Sequence, residues 1–343
     1  MSRSALIIGG TGLIGRALVP VLQEEGWDLT VVSRNTKPSD PTVHHVVLER
    51  DETSGLQKVM SNGYDALIDV VPLTARAGDQ LAELHDAVET MVVISSAAVY
   101  ADAEGKSLLN SDLPRSLPIS EEAPVVAPDR DSDNYPGVKV YIEKTVLEQP
   151  PANVTILRPG AIYGPGDTAS REWHFAKRAL DRRPFVIMRA GGHNVFHQVA
   201  AENVARIAAR AAESPGTRVL NCGDESPRSV RDTSRMIAKV MDHVRDEFSV
   251  EEGILPETLG LTPWSTPQPI VLDTSRARSL GHHERAHPLV LMERTCEWLV
   301  EATAGRRWEQ ALPGAAHHYG TLFDYDAEDQ WFRKTKPSAQ PLS

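Results

Sequence analysis

Residues 5–16 read A-L-I-I-G-G-T-G-L-I-G-R, an apolar run that breaks into a turn carrying Gly9, Gly12 and Gly15. Ala5–Ile8 predicts a buried strand and Leu13–Glu25 a helix, so the glycines stand at a strand-to-helix junction. Such a turn needs residues free of Cβ clashes. The helix N-terminus behind it offers unpaired N–H groups and the positive end of a dipole to an anion. The third glycine lets helix and strand pack closely. In this context the pattern predicts a dinucleotide cradle made by Gly9, Thr11, Gly12, Leu13, Ile14 and Gly15.

Working outward, further short apolar runs follow at Asp28–Ser33, Val43–Leu48, Ala66–Val71, Met91–Ser95 and Val154–Leu157. They are apolar on consecutive positions, as strands covered on both faces should be. Helical patterns lie between them at Ser54–Asn62, Ala75–Glu89 and Val138–Gln149. This alternation predicts an α/β protein, a Rossmann-type doubly wound parallel sheet with a smaller C-terminal substrate-binding domain. The dinucleotide-binding part is expected over 1–165 with a returning segment near 195–222. The substrate-binding part is expected over 166–194 and 223–310, with 311–343 as a C-terminal extension. In this second half, helices are expected at Arg171–Arg183, Ala201–Glu213, Val230–Val244 and Leu289–Ala302. Short strands are expected at Phe185–Met188, Asn194–Val199 and Arg218–Asn221. Ala101–Asn134, rich in proline and acids, predicts a long surface loop with a functional role. The end, Lys334–Ser343, reads as disordered.

The 343 residues are 41% apolar and 24% charged, an ordinary soluble composition. Thirty-six basic against 47 acidic residues give a net charge of −11, a poor match for nucleic acid or an anionic membrane. No run approaches the length of a membrane span. The two cysteines, Cys222 and Cys296, form no CxxC pair and no disulfide framework, and with no signal peptide the chain reads as cytoplasmic.

The second strand ends V-V-S-R-N, with Ser33 and Arg34 where a carboxylate would select NAD through the adenosine ribose. A guanidinium suits a 2′-phosphate, so NADP(H) is favoured over NAD(H). Asp51, ending L-E-R-D, is placed to meet the adenine edge, and Val71 closes the fourth strand beside the cofactor.

Residues 91–100 read M-V-V-I-S-S-A-A-V-Y and residues 135–143 read Y-P-G-V-K-V-Y-I-E. Tyr135 and Lys139 are one helical turn apart on the same face. Carbonyl–alcohol interconversion by hydride transfer needs a group that gives or takes the proton on oxygen. A phenol is too weak an acid at its ordinary pKa of about 10. A neighbouring ammonium favours the phenolate and brings it toward working pH. Tyr135 is thus the candidate acid/base, Lys139 its partner and ribose ligand, and Ser96 the hydroxyl that orients the reacting oxygen.

With these residues in place the chain resembles the extended short-chain dehydrogenase/reductases of the NAD-dependent epimerase/dehydratase group. The similarity lies in G-G-T-G-L-I-G, I-S-S-A-A-V-Y, P-I-S-E-E-A-P, Y-P-G-V-K-V-Y-I-E, L-R-P-G-A-I-Y-G-P-G-D and L-D-T-S-R-A-R-S-L-G. It implies a Ser96/Tyr135/Lys139 mechanism, with Arg158 and Pro159 near the nicotinamide. Nucleotide-sugar members carry Asn where this chain has Ala161 and Arg where it has Phe196. Their connection before the fifth strand is longer than Pro72–Thr90. These departures favour an NADP(H)-dependent oxidoreductase acting on a ketone or secondary alcohol of a small molecule. An epimerase or dehydratase with retained cofactor is the alternative, and a non-catalytic NADP-binding regulator or RNA-binding relative is a third. A homodimer stays open.

His174, His193 and His197 cluster in the region from which the family builds its substrate pocket. Their spacing matches no metal-ligand pattern, so no metal is expected.

Overall fold

The computed structural model describes residues 3–34, 40, 42–149, 153–251 and 256–335. Its strands are β1 (Ser4–Ile8), β2 (Asp28–Ser33), β3 (His44–Val47), β4 (Tyr64–Asp69), β5 (Val88–Ile94), β6 (Val154–Pro159), β7 (Ala161–Tyr163), β8 (Phe185–Arg189), β9 (Gln198–Ala200), β10 (Arg218–Cys222) and β11 (Asp246–Val250). The helices are α1 (Leu13–Glu24), α2 (Thr53–Met60), α3 (Ala75–Glu83), α4 (Tyr135–Leu147), α5 (Trp173–Leu180), α6 (Ala201–Glu213), α7 (Val230–Val240), α8 (Ser275–Ser279), α9 (Pro288–Thr303), α10 (Trp308–Ala311), α11 (Pro313–Tyr319) and α12 (Tyr325–Thr335). The chain divides into two compact units. One comprises Met1–Ile162, Val199–Glu225 and Ile270–Glu284; the other comprises Tyr163–Gln198, Ser226–Pro269 and Arg285–Ser343.

The first unit is a seven-stranded parallel sheet in the order β10-β6-β5-β4-β1-β2-β3. Successive residues of β1 serve opposite faces. Ala5 and Ile7 pack with Leu18 and Leu22 of α1 and Val204 of α6. Leu6 and Ile8 pack with Leu56 of α2, Leu81 of α3 and Ile142 of α4. This two-sided burial is why the strands read as unbroken apolar runs. Strand order reverses between β1 and β4, and the carboxyl ends there open the crevice in which such sheets hold ligands.

The expected long helix over Ala75–Glu89 ends at Glu83. A 3-10 turn at His85–Ala87 leads straight into β5. Ala101–Asn134 is the long, largely exposed loop its composition predicts, but it is anchored to the unit at several points. Its backbone pairs with the unit: Val126 N–H donates to Val99 O at 2.8 Å, Ile119 N–H to Val271 O at 2.7 Å, and Asp273 N–H to Ile119 O at 2.8 Å. Leu108, Ser111, Ile119, Glu121 and Val126 are buried. Those pairings satisfy the main chain where the loop dips inward at its few buried positions.

In the second unit β8 and β11 form a short parallel sheet. Phe185, Ile187, Phe248, Val250 and Leu259 make its core, against which Trp331 and Phe332 of α12 pack. The Phe185 and Phe332 rings stack with centroids 4.3 Å apart. Arg178 of α5 is buried and donates to Glu328 Oε1 of α12 at 2.5 Å and to Leu322 O at 2.9 Å. Arg183 reaches Asp329 at 2.6 Å. The C-terminal stretch thus belongs to this core, and Lys334 and Thr335, within the tail expected to be disordered, close α12. Residues 336–343 lie outside the described residues. Among the described residues no helix is long and apolar enough to cross a membrane.

Candidate active site

A cleft of about 380 Å³ opens at the carboxyl ends of β1 to β4. Ile8, Gly9, Thr11 and Gly12 line one side, Val32, Ser33 and Arg34 another, and Leu48–Asp51 with Val71, Leu73 and Thr74 the rest. Gly9 has φ +89°, and a Cβ there would lie 2.7–2.9 Å from Val71 and Val70. A Cβ on Gly15 would lie 2.4 Å from Gly10 Cα and Gly9 O. Gly12 caps α1 with no side chain over the helix end, so the first N–H groups of α1 stay open to a ligand. The cradle that the glycines clear, ending at an uncapped helix N-terminus, fits a dinucleotide pyrophosphate.

Of the predicted cofactor residues, Gly9, Thr11, Gly12, Ser33, Arg34, Asp51 and Val71 line this cleft. Ile14 is buried in the core on α1, and Leu13 and Ile14 form the first turn of that helix without lining the cleft. Pro159 ends β6 in register with Cys222 of β10. Ser33 Oγ is 2.8 Å from His45 Nε2 of the neighbouring strand. Arg50 was not singled out by the sequence. It grips Asp69 with Nε at 3.0 Å and Nη2 at 2.7 Å, bonds Gln80, and so ties the ends of β3 and β4 to α3.

Tyr135 is the first residue of α4 and is 44% exposed. Lys139, one turn on, is only 3% exposed. Its ammonium donates to Pro72 O at 2.7 Å and Ile94 O at 2.9 Å, bridging the ends of β4 and β5, and lies 5.7 Å from the Tyr135 ring centroid. Burial lowers its pKa to about 8, against the pull of Asp69 and Glu143. Two of the three ammonium protons are placed by these carbonyls, leaving one to give. Ser96 stands two residues beyond Ile94, and its Oγ accepts from Ala98 N–H at 3.1 Å at the head of a 3-10 turn. Lys139 therefore joins Tyr135 to the strand end that carries Ser96.

Below this point lies a buried polar network that the sequence reading touched only through its motif letters. Ser95 Oγ donates to Glu143 Oε1 at 2.5 Å, and Arg158 donates to both Glu143 oxygens at 3.0 and 2.6 Å. Burial disfavours the Arg158 charge, yet Glu143 more than offsets it, so the guanidinium stays firmly protonated. Arg158 also lies over the Tyr100 ring at 5.0 Å and donates to Glu121 O at 3.2 Å. Tyr100 is fully buried, donates to Asn221 Oδ1 at 2.6 Å, and burial pushes its pKa up to about 12. Of Tyr100 and Tyr135, only Tyr135 is exposed. A second cleft of about 380 Å³ opens beside it, lined by Lys106, Ser107, Asn110, Val126–Asp129, Asn134 and Pro136.

The family model for the NAD-dependent epimerase/dehydratase family matches residues 5–223. The chain belongs to that family. In fold, this epimerase/dehydratase chain is similar to UDP-glucose 4-epimerase of Thermotoga maritima, with TM-score 0.66, 17% identity, and coverage of 87% of this chain and 99% of that one. It is also similar to dTDP-glucose 4,6-dehydratase of Bacillus anthracis solved with NAD, with TM-score 0.68, 15% identity, and coverage of 89% and 99%. Among curated proteins it is 28% identical over 205 residues to a chloroplast stem-loop binding protein of 41 kDa from Arabidopsis thaliana. That match covers 55% of this chain and 50% of the plant protein, so the chain spans about half the length of the curated relative it matches. The family is one of nicotinamide-dependent enzymes.

The three candidate histidines, His174, His193 and His197, lie in the second unit. His174 is buried against Phe175 and Phe323, with centroids 4.9 and 5.7 Å away, and burial keeps it neutral by pulling its pKa well below the ordinary value. His193 is exposed after the 3-10 turn Ala190–Gly192, and His197 is buried. Close by in sequence, burial raises the pKa of Glu172 to about 7 despite a 2.8 Å hydrogen bond from Ser170. Among the described residues no group of three or more His, Cys, Asp or Glu side chains is placed to hold a metal ion.

Proposed function

We propose that this enzyme interconverts a secondary alcohol and a ketone on a small hydroxylated substrate, with Tyr135 as acid/base, Lys139 as its charged partner and Ser96 as the orienting hydroxyl. The observation that carries the reading is the buried Lys139 ammonium, held by Pro72 O and Ile94 O and 5.7 Å from the half-exposed Tyr135 ring. A bound nicotinamide dinucleotide supplies the hydride chemistry. Gly9, Thr11, Gly12, Val71 and the first turn of α1 would hold it. The Tyr135 phenol gives its proton to the substrate oxygen or takes it back, and the nearby ammonium favours the phenolate that results. Ser96 donates to the same oxygen and fixes its direction.

Family membership supports a redox-neutral cycle of the epimerase or dehydratase kind, with the cofactor kept through each turnover. Ala161 and Phe196 support net oxidation or reduction of a substrate without the nucleotide diphosphate. Product analysis with catalytic and then stoichiometric cofactor separates the two. Turnover with trace cofactor supports the first; consumption of one NADPH per product supports the second.

NADP(H) preference rests on Ser33 and Arg34, which line the cleft and supply a guanidinium instead of a carboxylate. Fluorescence titration should give tighter NADPH than NADH binding, and Arg34→Asp should reverse the order. Tighter NADH binding by the unaltered protein overturns the preference.

The identity to a stem-loop binding protein supports a second reading, recognition of folded RNA. The net charge of −11 weighs against it. Gel-shift titration with a stem-loop RNA tests it: binding unaltered by Tyr135→Phe would favour this reading over catalysis.

A further inference from the structure

Lys139 and Glu143 stand one turn apart on the inward face of α4, and both are buried. Among the described residues no carboxylate lies within ion-pair distance of the Lys139 ammonium, whose hydrogen bonds go to two main-chain carbonyls. A buried ammonium so placed depends on charges one layer away. Two carboxylates act on it: Asp69 from the end of β4 and Glu143 from its own helix. Asp69 is gripped by Arg50, and Glu143 by Arg158 from β6 and by the Ser95 hydroxyl from the end of β5. Tyr135 is the remaining titratable group facing it. Around the ammonium, three cations, Lys139, Arg50 and Arg158, thus face two anions.

We propose that Glu143 is a positioning residue for Lys139: its carboxylate, locked by Arg158 and Ser95, keeps the buried ammonium charged while standing off from it. The lock has two effects. It supplies negative potential to a cation that burial would otherwise neutralise. It also stops the carboxylate swinging onto the ammonium and drawing it away from Pro72 O and Ile94 O. The ammonium therefore stays aimed between Tyr135 and the dinucleotide cleft. The catalytic meaning of this device rests on the Ser/Tyr/Lys reading above; the charge coupling itself does not.

The test is a pH titration of the full-length chain labelled at lysine Cε, followed by NMR, with the Lys139 resonance assigned through Lys139→Arg. Lys139 should titrate below the other lysines. Glu143→Gln should lower its midpoint by about one pH unit, the size expected for loss of a nearby opposite charge. Glu143→Asp should lower it by less. The double variant Glu143→Gln/Arg158→Gln, which removes one charge of each sign, should bring it back toward the original value. A Glu143→Gln protein that melts normally and keeps the original midpoint overturns the proposal. If that variant does not fold, an unmoved midpoint in Glu143→Asp overturns it. A separate turnover assay keeps the two readings apart. Tyr135→Phe that turns over as fast as the unaltered chain removes the proposed mechanism but leaves the NMR result to decide the coupling.

Discussion

Around the glycine turn the groups that matter sit in short continuous stretches, whereas around α5 they come from positions as much as 150 residues apart. The first region is shaped by backbone: positive φ at Gly9, a missing Cβ at Gly15, no side-chain cap at the head of α1. The second is closed by side chains, with Arg178 buried against Glu328 and Phe185 stacked on Phe332. Backbone geometry of this kind leaves a local signature in sequence. Long-range ion pairs and ring stacks leave none, because each partner alone reads as an ordinary surface charge or core aromatic.

Tyr135→Phe breaks the comparison most sharply, because it removes one oxygen from the first region and nothing from its frame. Turnover should fall by roughly 10²–10⁴-fold, as for loss of a positioned acid/base, while the melting temperature and NADPH binding hold. In the second region Glu328→Ala strands the buried Arg178 charge and should cost about 3–5 kcal/mol, read by denaturant unfolding. Isolated NADPH binding at low denaturant should survive it if the cradle depends only on its own unit.

Gly15→Ala forces a methyl against the Gly9 carbonyl and Gly10 Cα, and should cost about 3 kcal/mol by overpacking and weaken NADPH binding with it. The smallest effect is a pH dependence. Glu172 has its pKa raised by burial from 4.5 to about 7, so the folded state holds its proton longer than the unfolded chain does. Its contribution is full at low pH and is lost as pH rises from about 4.5 through about 7. His174, depressed by burial, works in the opposite sense, losing its contribution as pH falls. Glu172→Gln should therefore remove only the alkaline loss, leaving the acid limb unchanged in melting scans.

Much of the first unit was legible because its strands are buried on both faces, and unbroken apolar runs alternating with amphipathic stretches have few other solutions. The Tyr135–Lys139 spacing was legible because a helix brings positions four apart together. Ala101–Asn134 was legible as a solvated loop from its prolines and acids, but its anchor points were not. Here its backbone pairs with Val99 and with Val271–Asp273, a segment far along the chain. Arg50 and Ser95 went unnoticed for the same reason: their partners Asp69, Gln80 and Glu143 are set by topology, not spacing. β11 carried too little apolar character, at Asp246–Val250, to stand out as a strand.

The strand β10 reaches the sheet only after the chain has left and returned, and α6, which covers one face of that sheet, arrives on the same return. A fragment stopping at Ile162 would contain every residue of the cradle and of the Ser96/Tyr135/Lys139 set. It would still leave β6 as a bare edge and Val92, Ile94 and Leu157 uncovered, an open template for pairing with other copies. Such a contiguous fragment should therefore self-associate, which sedimentation of residues 1–162 would check.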